Sequence, residues 1–468
     1  MDGNYKRLSI NTILVFVGKA GSLLIGLLML PLYTNWLSPD EYGTVDLISV
    51  YSNIVISIIT CCVADAIFVV PNRKSDRDLK SFFTTGVVFL IGVSILIFIL
   101  PIVFSFIFGK NIFFVSNSKF IILLSLAMMW LNYMQQFCRT INRMIIFSIT
   151  GLIHTILIAT LSLLLIPKFG LDGYLCALIC SYFCCALFSF IGAKLYSYIK
   201  IYLFNYSILI ILLKYSIPLV PNNIMWWLVN GFNRPFMESK LGLFAIGIYA
   251  VAMKFPSLIT SLCDVFMNAF SISMIEEYGK ESFKQFFNNI FRIAMIGVIF
   301  LSMIVTIFSI PIVKIFAADE FFEAWRILPI LTISSVFSCA SSLMGGVFIA
   351  KKESKYFFYS SIWGGGTSVI LTIAFIEIWG VIGCAIAVCA SFAVMFLVRL
   401  FYAWNDIDNL NIGYYIAHLI ILISVVAITI VNVNMYVRLF GYVFMFGYVL
   451  SRNIDLIKFC VKKSPCWK

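Results

Sequence analysis

Apolar runs recur from one end of the chain to the other, broken only by short polar or basic connections. Each is about 20 residues or longer, the length an α-helix needs to cross the hydrocarbon layer of a bilayer. About fourteen such helices are predicted on that spacing. The first two runs cover residues 8–37 and 44–70, joined by a tight turn, Ser38-Pro39-Asp40-Glu41-Tyr42-Gly43, punctuated by proline and glycine. Four more follow at 81–108, 120–137, 144–166 and 171–193. Residues 194–207, KLYSYIKIYLFNYS, are basic and rich in tyrosine, which predicts a segment lying along the cytoplasmic interface. Two runs then lie within residues 215–274, where Pro218, Pro221, Gly231 and Pro256 predict kinked or loosened helices. The remaining runs fall at 286–310, 324–350, 356–379, 380–404, 412–431 and 435–451, with a polar break at 405–411.

A weak repeat divides this series. Leu37-Ser38, Tyr42-Gly43 and Asp46-Leu47 have counterparts in Leu241-Gly242, Ile246-Gly247 and Ala250-Val251, about 204 residues on and in the same direction. Six helices per half is an even number, so the repeat is parallel, with its axis along the membrane normal. The expected organisation is an all-α polytopic membrane protein with residues 1–200 as one six-helix lobe and 201–405 as the second. Residues 406–468 form two further helices and a basic cytoplasmic tail.

Composition agrees with the pattern and removes other classes. The chain of 468 residues is 62% hydrophobic and 12% charged, with mean hydropathy +1.03, whereas soluble domains are about 45 to 50% apolar. The connections are too short to hold a separate soluble domain. The net charge of +12 is not gathered into an arm, and no nucleic-acid motif accompanies it. Counting alternate connections puts about 23 Lys and Arg on one side, Arg399 among them, and about 7 on the other, with three inside the membrane. By the positive-inside rule both termini are cytoplasmic. The opening run is too long for a signal peptide and is interrupted by Lys19, so a retained first helix is expected. The thirteen cysteines form no disulfide framework or zinc spacing, and Cys176, Cys180 and Cys184 are expected as small apolar packing residues.

Three cations inside apolar runs carry the candidate chemistry. A basic side chain near the centre of a spanning helix costs about 2.5 to 3.5 kcal/mol unless it meets water or an anion. At 1.5 Å per residue, Lys19 and Lys254 both fall about 15 Å deep, near the midplane, where secondary transporters place their substrate sites. Arg234 falls nearer the outer end, where it either lines a cavity or snorkels. Asp65 and Asp264 lie near inner helix ends and His154 lies mid-helix; interfacial pairing, interhelical hydrogen bonding and ion coupling are all open to them. Asp46 and Glu238 are expected at the outer surface in contact with solvent. Gly364-Gly365-Gly366 is expected to allow close helix contact. No nucleophile–base pair or metal-ligand set is present, so neither an enzyme nor a cofactor-dependent protein is expected.

The stretches GKAGSLLIGLLMLPLYTNWLSPDEYGTVDL (18–47), YSIPLVPNNIMWWLVN (215–230) and IGIYAVAMKFPS (246–257) resemble the Wzx-type oligosaccharide flippases of bacterial O-antigen and capsule pathways, a family grouped with the MATE exporters and the lipid II flippase in the MOP superfamily. The resemblance implies two six-helix lobes in a V arrangement and an inner-membrane protein. It also implies the substrate, an oligosaccharide repeat unit on undecaprenyl diphosphate, carried from the cytoplasmic to the outer leaflet for lipopolysaccharide or capsule assembly. Lys19, Lys254 and Arg234 are the positions where it implies a cationic cavity. A polysaccharide polymerase and chain-length regulator are its implied candidate partners, with membrane lipids around a monomer. Relatives often place an acid before the arginine of the seventh helix; here Asn233 stands there, which leaves Arg234 with no adjacent counter-charge. Two other classes compete: a MATE-type exporter of organic cations, which would want acids where this chain has lysines, and a membrane polymerase or ligase, which would want a large outer loop.

Overall fold

The computed structural model describes residues 21–71, 75–109, 112–351, 353, 355–407, 410–431 and 434–454. Within them the chain is helical: α1 (Gly21–Trp36), α2 (Pro39–Ile59), α3 (Val63–Val69), α4 (Asp76–Phe108), α5 (Phe113–Ser116), α6 (Ser118–Thr140), α7 (Met144–Gly192), α8 (Tyr206–Ser216), α9 (Val220–Asn230), α10 (Asn233–Glu277), α11 (Phe283–Ile307), α12 (Ser309–Phe316), α13 (Ala324–Lys351), α14 (Lys355–Ala403), α15 (Ile412–Ile430) and α16 (Met435–Arg452). Nine stretches among the described residues are long and apolar enough to span a membrane. Three of the nine are double-length, and with α1 and α16 they account for the fourteen crossings expected from the hydropathy pattern.

Two of the double-length elements turn back at a glycine that only glycine accommodates without strain. α7 breaks at Gly170, φ 53° and ψ −129°; α14 breaks at Gly380, φ 56° and ψ −131°. Three residues later, Gly173 and Gly383 sit so close to the preceding arm that a Cβ would collide with the carbonyls of Leu165 and Phe375, respectively. The same Gly-x-x-Gly corner, with the same dihedrals, thus recurs 210 residues apart. It is a second trace of the internal repeat, independent of the one read at residues 37–47 and 241–251. The third double-length stretch, Tyr206–Met267, runs from α8 into α10 and breaks within α10 at Gly242, φ 82°.

The first compact unit comprises residues up to 238 together with 242–247. In it α6 packs on α7, α2 and α3, and α9 packs on α2. The segment after α7 does not run free. Its 3-10 turns at Leu195–Tyr198 and Ile201–Leu203 are tied to the first turns of α4: Ser81 Oγ donates to the Leu203 carbonyl at 2.6 Å, Thr84 Oγ1 donates to the Tyr198 carbonyl at 3.0 Å, and the Asn205 N–H donates to Thr85 Oγ1 at 3.2 Å. Packing therefore continues through residue 200 to Glu238.

Two local details differ from the hydropathy reading. α2 begins at Pro39 instead of after Gly43, because Ser38 and Glu41 close a capping box, the Ser38 N–H donating to Glu41 Oε2 at 2.9 Å and the Glu41 N–H to Ser38 Oγ at 3.3 Å, with proline at the first helical position. Gly43 serves another purpose. A Cβ there would overlap the Leu243 carbonyl, and one at Gly247 would overlap the Pro39 carbonyl, so the two repeat-related glycines let these backbones touch. The second expected helix is also interrupted: α2 stops at Ile59, and Cys61 and Cys62 take positive φ, 48° and 56°, before α3 begins, a conformation uncommon outside glycine.

The second unit comprises residues 239–241 and those from 248 onward. α13, the most buried of the spanning elements, packs against α14, α11, α12 and α15. α15 and α16 are zipped together by Thr429 and Tyr442, whose hydroxyls lie 2.7 Å apart, and by His418, with Nε2 3.0 Å from Asn453 Nδ2. α15 lies against α11 and α13, so the last two crossings are built into this unit. Cys176, Cys180 and Cys184 occupy an exposed face of α7 with Leu187 and Ile191. They face outward and are not packing residues.

Candidate functional site

The most informative stretch of the first unit is the broken membrane segment formed by α8, α9 and the start of α10. Pro218 and Pro221 convert the α8–α9 junction into a 3-10 turn at Ile217–Leu219, since proline cannot donate into the helix ladder. A second break follows at Gly231. The Trp227 carbonyl accepts from both the Gly231 N–H at 2.6 Å and the Phe232 N–H at 3.1 Å, and the Arg234 N–H turns to the Gly231 carbonyl at 3.0 Å. That shift frees the Asn230 carbonyl from its usual helical partner, and Arg234 Nη1 donates to it instead.

Arg234 is buried, 6% exposed, and does not snorkel. Its Nε donates to Asp46 Oδ2 on α2 at 3.2 Å, and Nη1 also donates to Asn233 Oδ1 at 3.0 Å. The expectation that Arg234 has no counter-charge nearby is therefore corrected. The acid comes from the neighbouring helix instead of position 233, and Asp46 is half-buried instead of fully solvated. Charge-assisted bonds of this kind offset the cost of holding a guanidinium in hydrocarbon. Two further contacts fix the helix pair: Trp227 Nε1 donates to the Val50 carbonyl at 3.1 Å, and Asn223 Nδ2 lies 3.2 Å from Cys62 Sγ. A Cβ at Gly231 would come within 2.8 Å of the Trp227 indole nitrogen, so the glycine makes room for that ring. Partners 234 to 46, 227 to 50 and 223 to 62 run in opposite senses, which makes the two helices antiparallel.

Lys254 lies in the second unit, exposed on the far arm of α10 and two residues before Pro256; its carbonyl accepts from Ser257 Oγ at 2.6 Å. Lys19 lies outside the described residues. Asp264 is exposed on the same arm as Lys254. Asp65 stands in the first turn of α3 and interacts electrostatically with Arg139, whose guanidinium covers the Phe68 ring at 4.0 Å. His154 packs against Tyr182 across the α7 hairpin, the rings tilted with centroids 4.3 Å apart, and its buried Nε2 has no hydrogen-bond partner.

One buried cation escaped the sequence reading. Arg399, counted there with the cytoplasmic connections, is 0% exposed inside the second unit. Its Nε donates to Ser360 Oγ at 2.9 Å and Nη1 to the Ser341 carbonyl at 2.8 Å, with the guanidinium 4.3 Å above the Phe357 ring. Gly345 leaves the room: a Cβ there would meet Phe357 at 2.5 Å and Arg399 Nη1 at 3.0 Å. The serine run Ser360-Ser361 opposite an arginine two crossings' length away was the available signal.

Comparison with known proteins adds the family. In fold, the chain is similar to the lipid II flippase MurJ in an inward closed conformation, with TM-score 0.67 and 16% identity over 96% of this chain and 99% of that one. It is similar also to an inward-facing multidrug resistance MATE family transporter of the MOP superfamily, with TM-score 0.64 and 15% identity over 86% of this chain and 98% of the other. An uncharacterized membrane protein of Methanocaldococcus jannaschii is 27% identical over 199 residues, 41% of this chain, and the match spans 45% of that relative. These likenesses place the fold among polytopic membrane transporters. Residues 34–275, from the end of α1 to the last turns of α10 and including Asp46, Arg234 and Lys254, match the polysaccharide biosynthesis protein family, and the chain belongs to it.

Proposed function

We propose that the protein is a flippase that carries an oligosaccharide repeat unit on undecaprenyl diphosphate from the cytoplasmic to the outer leaflet of the bacterial inner membrane, for O-antigen or capsule assembly. The observation that carries this reading is Arg234, a buried arginine seated in a twice-broken membrane helix inside the residues that match the polysaccharide biosynthesis family. The fold likeness to the lipid II flippase supports a lipid-linked substrate. Lys19, Arg234 and Lys254 act as the cationic site around which access alternates. A diphosphate cannot cross hydrocarbon unaided, and basic side chains offer it charge-assisted hydrogen bonds. Asp65, Asp264 and His154 are the candidates for ion coupling, since one charge moving through 100 mV releases about 2.3 kcal/mol. Residues 1–200 and 201–405 act as the two lobes and 406–468 as an addition to the second, with both termini cytoplasmic. The protein works as a monomer without catalysis and hands its cargo to a polymerase and chain-length regulator.

The test is transfer of fluorescent undecaprenyl-diphosphate oligosaccharide between leaflets of liposomes holding the purified protein. Wild type is expected to move it, and Lys19→Ala/Lys254→Ala to lose transfer while still inserting. Organic-cation efflux without lipid transfer would favour the exporter reading, to which the MATE-like fold also lends support.

A further inference from the structure

Two polar rows meet at the Asp46–Arg234 ion pair. On α9 the row is Asn222, Trp226 and Asn230, one helical turn apart each, continued across the Gly231 break by Arg234. On α2 it is Asp46, Asn53 and Ser57, at similar helical spacing. Because the helices are antiparallel, both rows lead away from the ion pair in the same direction and border one groove of the first unit. Asn53 is exposed, and Ser57, Asn222, Trp226 and Asn230 are half-buried. A membrane helix does not present such groups to hydrocarbon, where each unsatisfied one costs several kcal/mol, so the groove is wet or filled by a polar ligand.

The hydrogen-bond inventory identifies the ligand class. Asn53 Nδ2 donates to the Ser49 carbonyl at 2.8 Å and Asn230 Nδ2 to the Trp226 carbonyl at 3.0 Å. These bonds hold the amides in place and leave each with a carbonyl oxygen and a second N–H to offer. Asn222 Oδ1 is itself buried and has no hydrogen-bond partner, so this amide marks the polar row without reaching its open side. Amides able to give and take at once, beside an indole face, match a pyranose ring, with its paired hydroxyls and apolar C–H faces. From Asp46 to Ser57 the row spans about 16 Å at 1.5 Å per residue, the length of a short oligosaccharide and more than one ring requires.

We infer that the α2–α9 groove is the sugar-reading subsite of the protein: Asn53 and Asn230 hydrogen-bond uncharged sugar hydroxyls, Trp226 stacks on a ring face, and Arg234 at the end of the groove receives the diphosphate. This rests on the flippase reading and extends it by saying where the sugars lie. Specificity for the repeat unit then resides in the first unit.

The experiment is equilibrium binding of two radiolabelled probes to the full chain in nanodiscs: undecaprenyl diphosphate, and the same lipid bearing a linear trisaccharide of N-acetylglucosamine. Wild type is expected to hold the sugar-bearing probe about tenfold more tightly. Trp226→Leu and Asn53→Ala are expected to erase that difference while leaving affinity for the sugar-free lipid within about twofold. Trp226→Phe, which keeps a ring face, retains it. Arg234→Gln weakens both probes alike. Equal affinity of wild type for the two probes, or variants at 226 and 53 that weaken both to the same extent, would overturn the sugar subsite while leaving the flippase reading intact. Failure of wild type to bind either probe would overturn both.

Discussion

At the scale of single residues, the chain keeps two arginines away from water by different means, and the difference predicts different responses. Arg234 is neutralised by Asp46 at 3.2 Å, so removing the acid alone strands a buried cation. Asp46→Asn is expected to destabilise by about 1 to 3 kcal/mol, and Asp46→Asn/Arg234→Gln to recover part of the loss because the stranded charge goes too. Thermal denaturation of the purified variants checks this; equal losses in the single and double variants would show that the pair contributes by shape alone. Arg399 relies on Ser360, the Ser341 carbonyl and the Phe357 ring. That planar, two-pronged arrangement suits a guanidinium and not an ammonium. Arg399→Lys is therefore expected to cost nearly as much as Arg399→Met, on the order of 3 kcal/mol, in the same assay. A lysine variant as stable as wild type would show that only the charge matters there.

At the scale of elements, glycine decides where helices turn, and its roles separate cleanly. Gly173 and Gly383 abut carbonyl groups of their own hairpins, whereas Gly366 has open space around its Cα. Alanine at 173 or 383 must push backbone aside and is expected to lower stability by about 1 to 3 kcal/mol. Alanine at 366, in a helix with nothing to strike, is expected to be neutral or to gain up to about 1 kcal/mol. Melting temperatures of the three variants decide the matter, and a loss at 366 equal to that at 173 would remove the distinction. The hydropathy pattern was sufficient for the crossings themselves, because burying backbone polar groups in a bilayer permits little other than helices. It was insufficient for their ends. Pro39 and Gly43 read as a turn when Pro39 in fact opens a helix under a Ser38–Glu41 capping box, and residues 44–70 read as one helix when Cys61 and Cys62 break it. A cap or a positive φ depends on the identity of a few atoms, to which average hydrophobicity is blind.

At the scale of the molecule, the repeat was legible as a short match near residues 42 and 246, and the Gly170 and Gly380 corners give it a second, geometric basis. Less legible was the site. Arg234 stood out because a charge in an apolar run is conspicuous, but its partner Asp46 lies 188 residues earlier in the chain, and no local pattern joins the two. Arg399 was lost for the opposite reason: near a helix end, a cation has an ordinary explanation in the positive-inside rule, and only tertiary packing reveals its burial. The last two crossings bear on the same issue. Their hydropathy marks them as an addition to a twelve-helix plan, yet α15 packs along α11 and α13, Arg292 of α11 lies over the Tyr414 ring at 5.1 Å, and His418, Asn453 and Tyr414 join α15 to α16. Phe291 also meets Tyr415, with ring centroids 5.2 Å apart. Ending the chain after Asp406 would strip these partners from α11 and bare a face that now packs against protein. The truncated protein is accordingly expected to insert but to lose thermal stability and to run as aggregates on size exclusion in mild detergent, where the full chain runs as one peak. If instead the truncated chain stays monodisperse and melts at the full-length temperature, α15 and α16 contribute no stability to this unit, and their contacts with α11 must be read as incidental to folding.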